Sequence, residues 1–95
     1  MNNYELVTVI SPEVDDEGMT GIVDKVSKFI SDKDGIVEET DRWGMKKLAY
    51  PIKRFLEANY MLTRFKLEPK FVIELEANLR ASEEILRHLI VKEGN

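Results

Sequence analysis

The order in which hydrophobic periodicity changes along the chain is the strongest constraint on its fold. Residues Tyr4 to Ile10 alternate, with Leu6, Thr8 and Ile10 on one side and Glu5, Val7 and Val9 on the other. Alternation with high β-branched content marks a strand, and apolar residues on both sides mark a central one. Ser11-Pro12 ends it, because proline cannot donate to a ladder. Met19, Ile22, Val23, Val26, Phe29 and Ile30 then recur at three- and four-residue spacing, which predicts a helix of about 16 residues with one apolar stripe. Asp15, Asp16 and Glu17 place negative charge where a helix N-terminus favours it. Asp34-Gly35 is a stop and turn signal.

Ile36 to Asp41 reads as a second strand, which Trp43-Gly44 interrupts and Met45 to Ile52 resumes. A glycine inside a strand pattern predicts a bulge or bend, and Pro51 puts the end of this strand at an edge or outside the ladder. Lys53 to Asn59 reads as a loop. Tyr60 to Leu67 alternates most clearly: Met61, Thr63, Phe65 and Leu67 form the more apolar side, and Tyr60, Leu62, Arg64 and Lys66 a partly basic open one. Glu68-Pro69 starts a second helix whose stripe is Val72, Leu75 and Leu79, with Phe71 in support.

Beyond Ala81, Leu86, Leu89 and Ile90 suit a longer helix, while Leu89-Ile90-Val91 suits a buried strand equally well. A β-α-β-β-α order favours a final strand, which completes the split βαβ, ferredoxin-like arrangement. The expected fold is therefore an α+β, βαββαβ sandwich. Two helices cover one face of a four-stranded antiparallel sheet and leave the other face for a partner. Ninety-five residues suffice for one such domain, spanning 1–95, and are too few for two.

Several chemistries are disfavoured. There is no cysteine, so disulfides, Cys-ligated zinc and thiol nucleophiles are excluded. Met1 to Glu5 lacks the basic region and apolar core of a signal peptide, and no apolar run approaches the roughly 20 residues of a membrane span. A cytoplasmic protein is expected. His88 is the single histidine and has no nucleophile or metal co-ligand in the pattern, so no metal site is expected. The pairs Glu38-Glu39 and Glu83-Glu84 split across strand faces or around a helix, unlike a carboxylate acid/base pair. Ser11 to Glu17 is acidic, the opposite of the phosphate cradle a phosphate-handling enzyme of this fold would need there. No enzyme, no cofactor and no small-molecule substrate are expected.

The net charge of −4 conceals an asymmetry. Residues 1–41 carry 11 acidic and 3 basic side chains, residues 42–66 carry 7 basic and 1 acidic, and residues 67–95 carry 6 acidic and 4 basic. The middle third is a basic block that also holds Trp43, Tyr50 and Tyr60. Basic side chains interleaved with aromatics on a sheet hold phosphates and stack on bases. Lysines on an exposed edge that merely guard against aggregation give the same pattern, so composition alone leaves both readings open.

The stretch Trp43-Gly44-Met45-Lys46-Lys47-Leu48-Ala49-Tyr50-Pro51-Ile52 closely resembles the signature of bacterial small-subunit ribosomal protein six. Tyr4-Glu5 with the strand ending at Ser11-Pro12, Asp34-Gly35-Ile36-Val37, and Tyr60-Met61-Leu62 are similar to the family in order and spacing. Ile85 to Lys92 is similar to the family's last strand, and residues 1–93 are covered. The resemblance implies a ferredoxin-like structural protein of the ribosome. It also implies binding to the central domain of 16S ribosomal RNA together with small-subunit ribosomal protein eighteen, and no catalysis, cofactor or membrane. Carried over by position, it implies RNA contacts at Asn3, Tyr4, Lys46, Lys47, Tyr50, Arg54, Arg87 and Lys92.

Trp43 and Leu62 are the candidate protein-partner residues, with local packing the competing role for each. Lys46 and Lys47 are adjacent on a strand and point to opposite faces. Many members carry arginine at the second position, where this chain has Asn2 followed by Asn3, so part of the phosphate contact is expected to be missing. Any function tied to the long acidic tail that some members carry is expected to be absent, and there is one extra residue near Glu68-Pro69. The competing function is a ligand-sensing or dimerisation domain of the same fold that pairs through its open sheet without RNA.

Overall fold

The computed structural model describes residues 1–94. The elements run β1 (Asn2–Ile10), α1 (Asp16–Asp32), β2 (Ile36–Ile52), β3 (Phe55–Leu67), a 3-10 turn (Pro69–Phe71), α2 (Val72–Ala81) and β4 (Ile85–Lys92). The strands form one sheet in the order β2-β3-β1-β4, with every neighbouring pair antiparallel. This is the ferredoxin-like βαββαβ arrangement. As its two-sided apolar pattern predicts, β1 is central; β2, with Pro51 near its end, is an edge.

Both helices pack on one face. Tyr4, Leu6, Phe65 and Leu67 from the sheet meet Val26 and Ile30 of α1 and Leu75 and Leu79 of α2. A second cluster joins Ile10 and Met61 to Met19 and Ile22 of α1. These are the even positions of β1 and the odd positions of β3, so one alternation sets the helix face and leaves Glu5, Val7, Leu62 and Arg64 on the other.

The ends of α1 follow from local chemistry. Asp15 caps it, its carboxylate accepting the Gly18 N–H at 2.8 Å. At the far end the Gly35 N–H donates to Ile30 O at 2.8 Å. A Cβ on Gly35 would lie 2.5 Å from the backbone oxygen of Lys66 and 2.7 Å from Ile30 Cγ2, so only glycine lets the chain turn this closely from α1 into β2. The ambiguous C-terminal segment is a strand, paired with β1 from Tyr4↔Lys92 to Ile10↔Ile85. Ile90 is half-buried toward the helices while Leu89 and Val91 are exposed on the other face, so apolar residues on both sides blur its period.

The largest departure from expectation lies in the β2–β3 hairpin. Residues 53–59 are not a loop: only Lys53 and Arg54 turn, and β3 already begins at Phe55. Alternation reports one-sided burial, and most side chains of this outer hairpin are exposed, so the strand is silent in the pattern. Trp43-Gly44 bulges β2 without breaking it. The register steps from Arg42↔Met61 to Gly44↔Tyr60, and Gly44 has φ 84°. A second irregularity lies further out. Pairing passes from Lys47↔Glu57 to Ile52↔Phe55, so Leu48-Ala49-Tyr50-Pro51 faces Leu56 alone. Pro51 has no N–H to give a ladder.

Candidate nucleic-acid interface

The basic block divides into two unlike halves. Over the body of the sheet its charges are met by acids. Arg64 Nε lies 3.2 Å from Glu5, 3.6 Å from Glu39 and 3.9 Å from Glu93. Lys66 lies 3.7 Å from Glu38, and Arg42 lies 3.8 Å from Asp16 with a 3.0 Å hydrogen bond to Thr20 of α1. On the outer hairpin, Lys46, Lys47 and Lys53 form no ion pair among the described residues, and Arg54 reaches only Glu13, at 3.7 Å with both side chains well exposed. An exposed pair of that kind is weak, and Arg54 exchanges Glu13 for another anion at little cost.

The outer hairpin also carries the aromatics. Lys46 Nζ lies 5.7 Å from the Trp43 ring centre, and the Trp43 indole N–H donates to Asp41 at 3.1 Å. Arg54 lies 4.9 Å from the Phe55 ring centre. Tyr50 is 58% exposed and its hydroxyl accepts a 2.9 Å hydrogen bond from Arg87 Nη1. That bond, with the electrostatic influence of Tyr50 and more weakly of Tyr60, raises the Arg87 pKa above the ordinary arginine value. Cations and rings side by side suit an anionic, base-bearing polymer.

The sequence-derived residues fall into two groups. Lys46, Lys47, Tyr50 and Arg54 lie on the outer hairpin, and Arg87 at the start of β4 is tied to them through Tyr50. Lys46 opposes Ala58 and Lys47 opposes Glu57, so the two lysines project to opposite faces and Lys47 has an acid across the ladder. Asn3 and Lys92 sit at the other end of the sheet, where Asn3 opposes Lys66 and Lys92 opposes Tyr4. Five residues of strand separate Lys92 from Arg87, about 17 Å.

Tyr4 belongs to neither group. It is 7% exposed, lies in the core and stacks on Phe65 with ring centres 5.5 Å apart, so its position in β1 directs it to the helices and away from a surface contact. Trp43 is half-exposed beside Lys46, whereas Leu62 keeps only 8% of its surface on the open face. Lys53 lies outside the set carried over by position. The charge asymmetry contained it, and the structure sets it at the hairpin tip with φ 57°.

His88 faces the helices, 3.1 Å from Glu76 of α2. Among the described residues no cluster of acids and histidines could hold a metal, and no helix is long and apolar enough to cross a membrane. Fold and site together define a small α+β module with a basic, aromatic-bearing hairpin at one edge of its sheet.

Comparison with known proteins makes this specific. A family model described as Ribosomal protein S6 matches residues 3–92. Small ribosomal subunit protein bS6 of Clostridioides difficile is 43% identical over 91 residues, covering 96% of this chain and 98% of that protein. The protein of the same name from Desulforamulus reducens is 37% identical over 94 residues and covers 99% of each. The crystal structure of 30S ribosomal protein S6 from Thermotoga maritima superposes with a TM-score of 0.90 at 32% identity, covering 97% of this chain and 87% of that one. The chain belongs to the ribosomal protein S6 family. It is accordingly a ribosomal protein of the small subunit, a cytoplasmic component with ribosomal RNA as its partner, and not an enzyme.

Proposed function

We propose that this chain binds the central domain of 16S ribosomal RNA as a heterodimer with small-subunit ribosomal protein eighteen. In this reading the outer hairpin meets the RNA and the open face of the sheet meets the partner protein. The observation that carries the RNA half is the uneven neutralisation of the basic block: cations on the sheet are met by acids, while Lys46, Lys47 and Lys53 form no ion pair among the described residues and can meet phosphate. The partner half is supported by the apolar strip Val7, Leu62, Leu89 and Val91 on the open face, bordered by Glu5, Glu39, Asp41 and Glu93. An apolar strip with an acidic border suits a basic protein.

The test is to mix the chain and the partner protein with a central-domain RNA fragment and follow complex formation by gel mobility across a salt series. A complex that forms at low salt and weakens steeply as salt rises is expected. A tight homodimer with no RNA affinity would contradict it and favour the dimerisation-domain reading.

A further inference from the structure

The last rung that β3 shares with β1 is Ile10↔Asn59, so beyond Asn59 the outer hairpin has no third strand beside it. Its β2 arm is weakened further, because four residues, Leu48 to Pro51, face Leu56 alone. A two-stranded ribbon of this kind is marginal without tertiary support. Two side-chain ties between the ribbon's outer end and the rest of the molecule stand out. Arg54–Glu13 is a 3.7 Å pair between exposed side chains, which holds little. The other runs from the irregular stretch itself: the Tyr50 hydroxyl accepts from Arg87 Nη1 at 2.9 Å across 37 positions of sequence.

The geometry suits a tie. Tyr50 precedes a proline and is held extended, so its side chain has few backbone states to lose. Arg87 opposes Val9 on the β1–β4 ladder and is anchored by a paired strand. The Arg87 carbon lies 5.6 Å from the Tyr50 ring centre while its nitrogen is at hydrogen-bond distance from the hydroxyl, so the guanidinium grips the rim of the ring and is not centred over its face.

We propose that Arg87 and Tyr50 form a latch that holds the outer hairpin against the start of β4 and so fixes where Lys46, Lys47 and Lys53 stand. Arg87 is then a positioning residue that acts through Tyr50, not a phosphate contact. The proposal rests on the reading that the hairpin is the RNA surface. An unlatched hairpin must be ordered at the moment of binding, and the apparent affinity falls by the fraction of time it spends in the competent geometry.

The test uses Tyr50→Phe, which removes one hydroxyl, and Arg87→Lys, which keeps the charge but loses the planar fork. Two readouts are taken on each variant and on the double variant. The first is amide hydrogen exchange of residues 45–58 in the free protein. Both variants are expected to speed it while the amides of β1 keep their protection. The second is RNA affinity over a salt series. Each variant is expected to bind on the order of 3- to 10-fold more weakly, as for a hairpin competent about a tenth to a third of the time. The salt slope should be unchanged and the double variant no worse than either single one.

Unaltered exchange in both variants would overturn the latch. A third variant, Arg87→Ala, removes the charge: a normal affinity for Tyr50→Phe combined with an Arg87→Ala salt slope reduced by about one, the mark of a direct phosphate contact, would overturn it too. A wild-type protein without RNA affinity would overturn the RNA reading of the hairpin instead, and the exchange data would still judge the latch.

Discussion

Arg64 Nε lies 3.2 Å from the carboxylate of Glu5, directly across the β1–β3 ladder, and Glu39 and Glu93 close around it at 3.6 and 3.9 Å. A cation enclosed by three acids is a poor phosphate ligand. Replacing Arg64 by alanine is expected to leave the salt slope of RNA binding unchanged, while Lys53→Ala lowers it by about one. Fluorescence titration over a salt series measures both. The three carboxylates left by Arg64→Ala repel one another, so stability should fall by up to about 1 kcal/mol in urea unfolding.

Tyr4 separates the packing and recognition roles that its position in the sequence confounds. Tyr4→Phe keeps the ring on Phe65 and loses a hydroxyl that accepts from Asn2 at 3.4 Å, so RNA affinity should be unaltered. Tyr4→Ala opens a cavity in the core and should cost about 3–5 kcal/mol. Urea midpoints paired with RNA affinity decide the matter. A weakened Tyr4→Phe complex at normal stability would return Tyr4 to the surface.

The element order and the stripe of α1 were legible because the elements bury one side in the core between sheet and helices, which periodicity records, and the central place of β1 because both of its sides are apolar. Met19, Ile22, Val26 and Ile30 are all buried as their spacing predicts. The outer hairpin was not legible. With solvent around most of its side chains, Phe55 to Asn59 shows no alternation, and the sequence of this strand reads as a loop. For the site, the basic block marks the segment that holds the unpaired lysines, but charge along a sequence does not show which cations acids will claim. Arg64 and Lys66 are neutralised by residues up to 59 positions away in the chain, Glu5 foremost, and only the ladder register brings them together.

Two glycines should respond differently to alanine. At Gly35 the new methyl meets the backbone of Lys66, and a loss of about 1–3 kcal/mol is expected because backbone must move. At Gly44 nothing lies within 4 Å, and the cost is only that of φ 84°, about 1–2 kcal/mol. Urea unfolding gives both values. Gly44→Ala should also shift the emission of Trp43, the single tryptophan, because the bulge that sets its ring is altered.

Lys53 combines two opposed effects in one residue. Its φ of 57° is strained for any side chain, so Lys53→Gly should raise stability by about 0.5–1 kcal/mol. The same change removes a free cation from the hairpin tip and should weaken RNA binding. A more stable protein with a weaker complex is the expected pair of results from urea unfolding and titration.

Crosslinking the protein to small-subunit ribosomal RNA, with mass-spectrometric mapping of the attached peptides, tests the central claim most directly. The account predicts attachment within residues 45–58, at Lys46, Lys47, Lys53 and Arg54 foremost, with Tyr4 and Arg64 unmarked. A map confined to the acidic helix at 16–32, with the hairpin free of crosslinks, would contradict it.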